Sequence, residues 1–189
     1  DQIGRLMSYL KESGQINDTM IVFTSDHGDY LGDHWMGEKE LFHDASARIP
    51  LIIVDPSEEA DATRGSVSKS LTEAIDLLPT FLEFAGGEVP DHILEGHSLL
   101  PEIYNIGQTH RDFVISEYDY SARPYLRQLS KDAKSCGLTM VFDGRWKFIW
   151  VEGHRPMLYD LETDPDEVVD LGNSKKHQTQ IERLREMMF

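Results

Sequence analysis

A continuous apolar run of strand length, Met20-Ile21-Val22-Phe23, stops abruptly at Thr24-Ser25-Asp26-His27-Gly28. A run without polar alternation predicts a strand buried on both faces. Upstream, Ile3, Leu6, Met7 and Leu10 recur at helical spacing and Gly14 supplies a stop, so the first dozen residues read as an amphipathic helix. Helix followed by buried strand is the alternation of an α/β layered fold, in which ligands gather beyond the carboxyl ends of parallel strands. The Asp26-His27-Gly28 triplet therefore falls where such a fold places a site. Because the chain starts inside an amphipathic pattern, the polypeptide is expected to continue upstream.

Residues 29 to 48 are polar, aromatic and glycine-containing without a sustained period, and read as a long loop with at most one helical turn. Loops of that length usually carry function. Trp35 is expected to anchor the loop by packing, and Arg48 to pair with a carboxylate near the next strand. That strand, Ile49 to Val54, is closed by Asp55-Pro56. Asp76 is read as the cap of a short helix containing Leu77, Leu78, Phe81, Leu82 and Phe84, with Pro79 in its first turn and Gly86 at its end. A boundary between Gly87 and Thr109 divides the chain, giving an α/β part over 1–108 and a small α+β part over 109–189. In the second part Phe113-Val114-Ile115 reads as a strand, and two apolar runs flank Asp143-Gly144, a strong hairpin signal. Met157 to Leu161 adds a strand and Ser174 to Met188 a final helix. This tail is a small antiparallel sheet with a C-terminal helix packed on it.

Of the 189 residues, 34 are acidic and 18 basic, a formal net charge of −16 that disfavours nucleic-acid phosphates and anionic bilayers as partners. An anionic substrate must then meet a local positive centre. No run of about 18 apolar residues is present, so no membrane-spanning helix is expected. The single cysteine, Cys136, excludes an internal disulfide and a thiolate metal cluster, and fits a cytoplasmic location. It precedes an apolar strand and reads as a small, partly buried hydrophobe.

Asp26 and His27 set a carboxylate oxygen beside an imidazole nitrogen at a strand end, with Gly28 allowing a sharp turn. That pair suits a divalent cation: the histidine keeps Mn²⁺, Fe²⁺ or Zn²⁺ in play, while carboxylate-rich surroundings favour Ca²⁺, Mg²⁺ or Mn²⁺. The same triplet is compatible with a plain strand-end turn in which Asp26 caps backbone amides. Lys39 could fold back over the strand end and neutralise an anionic oxygen, or be a solvated lysine. Asp29, Asp33, His34, Glu38, His43 and Asp44 are further candidates that spacing does not rank.

Taken together, Thr24 to His34, then Lys39, then Ala47-Arg48-Ile49-Pro50-Leu51-Ile52 resemble a characteristic block of the sulfatases, members of the alkaline phosphatase superfamily. Asp143-Gly144-Arg145-Trp146-Lys147-Phe148-Ile149 and the stretch from Leu158 to Glu167 resemble that family's C-terminal strand and turn. Gly32-Asp33-His34-Trp35 and Ile115 to Tyr120 look closest to phosphonate monoester hydrolases, with choline and iduronate sulfatases more distant. The resemblance implies that residues 1–108 are the C-terminal part of an alkaline-phosphatase-like sandwich. It implies Asp26 and His27 as ligands of one divalent cation, Ca, Mn or Mg, and Lys39 as a contact to the transferring group of a small sulfate, phosphate or phosphonate ester. In the family the nucleophile is a formylglycine made from a Cys/Ser-x-Pro/Ala-x-Arg motif. Cys136 is followed by Gly-Leu-Thr and does not match it. The nucleophile and two further aspartate ligands are thus expected upstream, and the chain by itself is expected to be inactive, with exposed apolar surface covered either by self-association as a homo-oligomer or by a disordered edge.

Two other readings stay open at this point. A two-metal phosphatase or phosphodiesterase of the same superfamily could draw on His34, His43, His92 and His97. A non-catalytic acidic interaction domain could bind a partner or Ca²⁺ through scattered carboxylates.

Overall fold

The computed structural model describes residues 1–108, 110–121 and 136–188. Thr109, where the second part is set to begin, and Ser135 lie outside the described residues. The chain forms two compact units, one of residues 1–26 and 50–111, the other of residues 27–49 and 112–189.

In the first unit helix α1 (Gln2–Glu12) ends where Gly14 takes φ 75°, the stop read from sequence. Strands β1 (Ile21–Thr24) and β2 (Leu51–Val54) pair antiparallel, with Ile21 opposite Val54 and Phe23 opposite Ile52. The chain reverses through residues 27–49, so β2 returns beside β1. Phe23, Ile52 and Val54 share a face and remain 45%, 58% and 40% exposed, so burial on both faces is not met among the described residues. Helix α3 (Leu77–Phe84) carries Pro79 in its first turn, as read. Asp76, however, caps the turn before it, accepting from the Glu73 N–H at 2.8 Å and from the His97 N–H at 2.9 Å. Arg111 forms ion pairs with Asp76 and Glu73. Helix α4 (Leu100–Tyr104) completes the unit.

The second unit is an antiparallel meander, β3 (Val114–Asp119), β4 (Gly137–Phe142), β5 (Trp146–Val151) and β6 (Met157–Asp160), followed by helix α5 (Gln178–Glu186). Gly144, at φ 93°, makes the β4–β5 turn, and Asp143 Oδ1 accepts from the N–H groups of Arg145 at 3.0 Å and Trp146 at 2.7 Å. Both sheet faces are buried. Val141, Phe148 and Leu158 meet Ile181 and Leu184 of α5, while Leu138, Met140, Ile149 and Tyr159 gather around Phe42. Cys136 is buried beside the start of β4. Among the described residues no helix is long and apolar enough to cross a membrane.

Candidate functional site

Phe42 belongs to residues 27–49, the segment that follows the Asp-His-Gly triplet, and its burial against the sheet explains how that segment holds a fixed shape. The segment contains a short helix, α2 (Asp44–Ala47), and a narrow fold-back in which the Tyr30 N–H donates to the Glu38 carbonyl and the Gly32 N–H to the Met36 carbonyl, both at 2.9 Å. Leu31, His34, Trp35, Glu38 and Leu41 all take positive φ. Each such non-glycine residue costs about 1–3 kcal/mol and persists only where surrounding contacts over-determine it. Full burial of the Tyr30 ring and near-complete burial of Phe42 supply that offset. Trp35 does not pack on the described residues; its side chain is fully exposed. Arg48 pairs with Asp44 at 3.4 Å within the segment.

The fold-back brings Lys39 to His27. The Lys39 Nζ lies 2.8 Å from His27 Nε2, and His27 Nδ1 lies 2.6 Å from the Gly28 carbonyl. A carbonyl only accepts and an ammonium only donates, so both contacts select the neutral imidazole with its proton on Nδ1. Asp26 precedes His27 in the chain but closes the first unit, after β1; its carboxylate is exposed, with the Ser25 hydroxyl 3.5 Å from Oδ1. Of the three residues singled out from sequence, Lys39 and His27 are thus in direct contact.

A histidine that donates Nδ1–H to a backbone carbonyl and keeps a lone pair on Nε2 has the arrangement of a metal-ligating imidazole. Asp26 adds a hard oxygen of the kind that Ca²⁺, Mg²⁺ and Mn²⁺ accept. Each of these two donors is of a type that such an ion accepts. Among the described residues no group of three or more His, Cys, Asp and Glu is placed to hold a metal ion.

The neighbouring histidines have other occupations. His43 is 7% exposed, its Nδ1 is 2.8 Å from the Tyr30 hydroxyl, and its ring stacks on His34 at 4.0 Å. Burial, reinforced by His34 and Lys147, pushes its pKa down to about 4. Burial likewise pushes the Tyr30 phenol up to about 12. Asp29 closes a local turn by accepting from the Leu31 N–H at 2.8 Å.

Sequence reasoning missed a buried ionic knot. Lys147, in the otherwise apolar strand β5, reaches Asp44 Oδ1 at 2.5 Å and is in ionic contact with Glu167 Oε1 at 2.7 Å. Glu167 Oε2 accepts from the Asp44 N–H at 2.5 Å, and the Glu167 backbone takes φ 52°. Burial pushes the Glu167 carboxyl up, against the pull of Lys147 and the Asp44 N–H. The one available signal was a lysine two residues from Ile149, hence on the same buried strand face.

A Sulfatase family profile matches residues 1–87. The chain is 37% identical over 177 residues to a multifunctional alkaline phosphatase superfamily protein of Trinickia caryophylli, covering 90% of this chain and 34% of that one. It is 34% identical over its whole length to an arylsulfatase of Clostridium perfringens, covering 36% of the relative. The crystal structure of a phosphonate monoester hydrolase of Agrobacterium radiobacter superposes on 99% of the chain and 37% of its own length, with a TM-score of 0.87 and 34% identity. These matches support placing the chain in the sulfatase family. It spans about a third of the length of these relatives. The sulfatase profile includes the triplet and Lys39, and the structural match extends through the sheet and helix of the second unit.

Proposed function

We propose that this chain is the C-terminal portion of a metal-dependent hydrolase of small sulfate, phosphate or phosphonate esters. Asp26 and His27 are its share of the ligands to one divalent cation, Ca, Mn or Mg, and Lys39 is its contact to the transferring group. The observation that carries this reading is the 2.8 Å approach of an ammonium to His27 Nε2. The lone pair that would bind the cation is the one the Lys39 ammonium meets here, so with an ion bound the ammonium would turn from Nε2 to an anionic oxygen of the ester.

A divalent ion held by Asp26 and His27 would supply Lewis-acid polarisation of the ester. The chain's own part is positional and electrostatic. The Gly28 carbonyl holds the proton on Nδ1, which keeps Nε2 a donor of its lone pair. The Lys39 ammonium stabilises negative charge as it develops on the reacting group. The attacking formylglycine is assigned to the upstream part of the polypeptide. Similarity to phosphonate monoester hydrolases supports testing phosphonate monoesters beside sulfates.

The test is to express a polypeptide extended through the upstream reading frame and assay aryl sulfate, phosphate diester and phenylphosphonate substrates with and without Mn²⁺ or Ca²⁺. Lys39→Ala should lower kcat by about 10²–10³-fold, the scale of a lost charge-stabilising donor. His27→Ala should raise the metal concentration for half-maximal rate by more than the ~10–100-fold that losing an outer-shell partner costs. Unchanged hydrolysis in both variants would sink the assignment.

A further inference from the structure

We infer that the buried Lys147–Glu167 pair, acting through Asp44 and Ser46 of α2, positions Lys39 and His27 against each other, a role that rests on the hydrolase reading just given. The connection is continuous. Lys147 and Glu167 hold Asp44 by its carboxylate and by its backbone N–H. Asp44 opens the short helix whose Ser46 grips both ends of the fold-back. The Ser46 hydroxyl donates to the Lys39 carbonyl, and the Ser46 carbonyl accepts from the Gly28 N–H at 2.7 Å. Gly28 follows His27 and its carbonyl orients the imidazole. One residue of α2 is thus bonded to Lys39 and to the neighbour of His27.

Two features make this more than packing. Lys147 and Glu167 are each 2% exposed, so their charges are directed at α2 without competition from water. A glutamate with φ 52° is strained, and its carboxylate is the group that holds the first N–H of α2. Neither residue touches Lys39 or His27. Both are positioning residues.

The test is a double-mutant cycle in the extended polypeptide: Glu167→Gln and Ser46→Ala, each with Lys39 intact and with Lys39→Ala. In the intact background each substitution should lower kcat, by up to about 10²-fold for a displacement near 1 Å, with KM within about twofold. In the Lys39→Ala background the same substitutions should cost clearly less than with Lys39 intact, because one of the two groups they position is gone and only the His27 arm remains. Equal losses in both backgrounds, or a change in KM alone, would overturn the proposal. On proteins with intact Lys39, the NMR signals of the 13C-labelled His27 ring and Lys39 Cε should shift in both variants while the Leu184 methyl signals stay in place. Should Glu167→Gln fail to fold, Ser46→Ala, which deletes only one hydroxyl, carries both measurements. Should the extended polypeptide hydrolyse nothing, or Lys39→Ala leave hydrolysis intact, the hydrolase reading falls and the NMR result decides the positioning role: moved signals sustain it, unmoved signals end it.

Discussion

Burial holds the His43 imidazole near pKa 4, with His34 and the Lys147 ammonium pressing the same way and Asp44 opposing them. The ordinary value, 6.5, applies when the chain is unfolded. Above pH 6.5 neither state binds the proton, and the fold keeps its full stability. Between 6.5 and about 4 the unfolded chain takes up a proton that the folded one refuses, so stability falls as pH falls and levels off below 4. The full effect is about 3 kcal/mol. Urea unfolding at pH 7 and pH 4.5 should therefore show the wild type losing about 2–3 kcal/mol more than His43→Gln, which cannot titrate. Parallel losses in the two proteins would mean that the His43 site admits water. Burial keeps this histidine neutral beside the Tyr30 hydroxyl and the His34 ring, whereas His27, in the same segment, faces the Lys39 ammonium.

Two glycines set the shape of two elements for different physical reasons. A Cβ on Gly28 would come within 2.1 Å of the Ala45 carbonyl oxygen in α2. A Cβ on Gly144 would meet nothing within 4 Å, but φ 93° strains any L side chain. Gly28→Ala should cost about 1–3 kcal/mol or more through overpacking, and Gly144→Ala about 1–2 kcal/mol through backbone strain alone. Gly144→Asn should recover part of its loss, since asparagine tolerates positive φ, while Gly28→Asn should not. Urea midpoints of the four variants separate the two causes, and recovery at position 28 would show that α2 can move away. The β4–β5 turn was legible in the sequence because its information is local: Asp143 caps the next two N–H groups and Gly144 turns the chain. Helix α1 and α3 were legible for the same reason, through spacing and a first-turn proline. The pairing of β1 with β2 was not, since an apolar run carries no sign of strand direction. Trp35 misled because an aromatic in a loop reads as an anchor, while the anchors are Tyr30 and Phe42. Lys39 was singled out by the resemblance to the sulfatases, since its position in the loop alone fits a solvated lysine as well. The grip of Lys147 and Glu167 on Asp44 spans 103 and 123 residues, and no local pattern carries contacts at that separation.

Across the whole chain an excess of 16 acidic charges must be tolerated by the folded state. The ionic contacts that organise the two units are of two kinds. Lys147 with Glu167, and Arg111 with Asp76, are largely withdrawn from solvent, so added salt reaches them little. Arg64 with Asp61 and Arg48 with Asp44 involve exposed arginines, and pairs of that kind are worth about 0–1 kcal/mol each. The remaining carboxylates repel one another at the surface, and that repulsion is relieved when the fold opens. Salt therefore weakens a small attraction and a larger repulsion. Raising NaCl from about 10 to about 300 mM, which shortens the screening length from about 30 Å to below 10 Å, should raise the thermal midpoint of the chain at pH 7. The rise should disappear near pH 4.7, where the sequence carries no net charge and the repulsion is absent. A midpoint that instead falls with salt at pH 7 would mean that the exposed pairs outweigh the self-repulsion, and that the acidic excess is dispersed widely enough to cost the fold little.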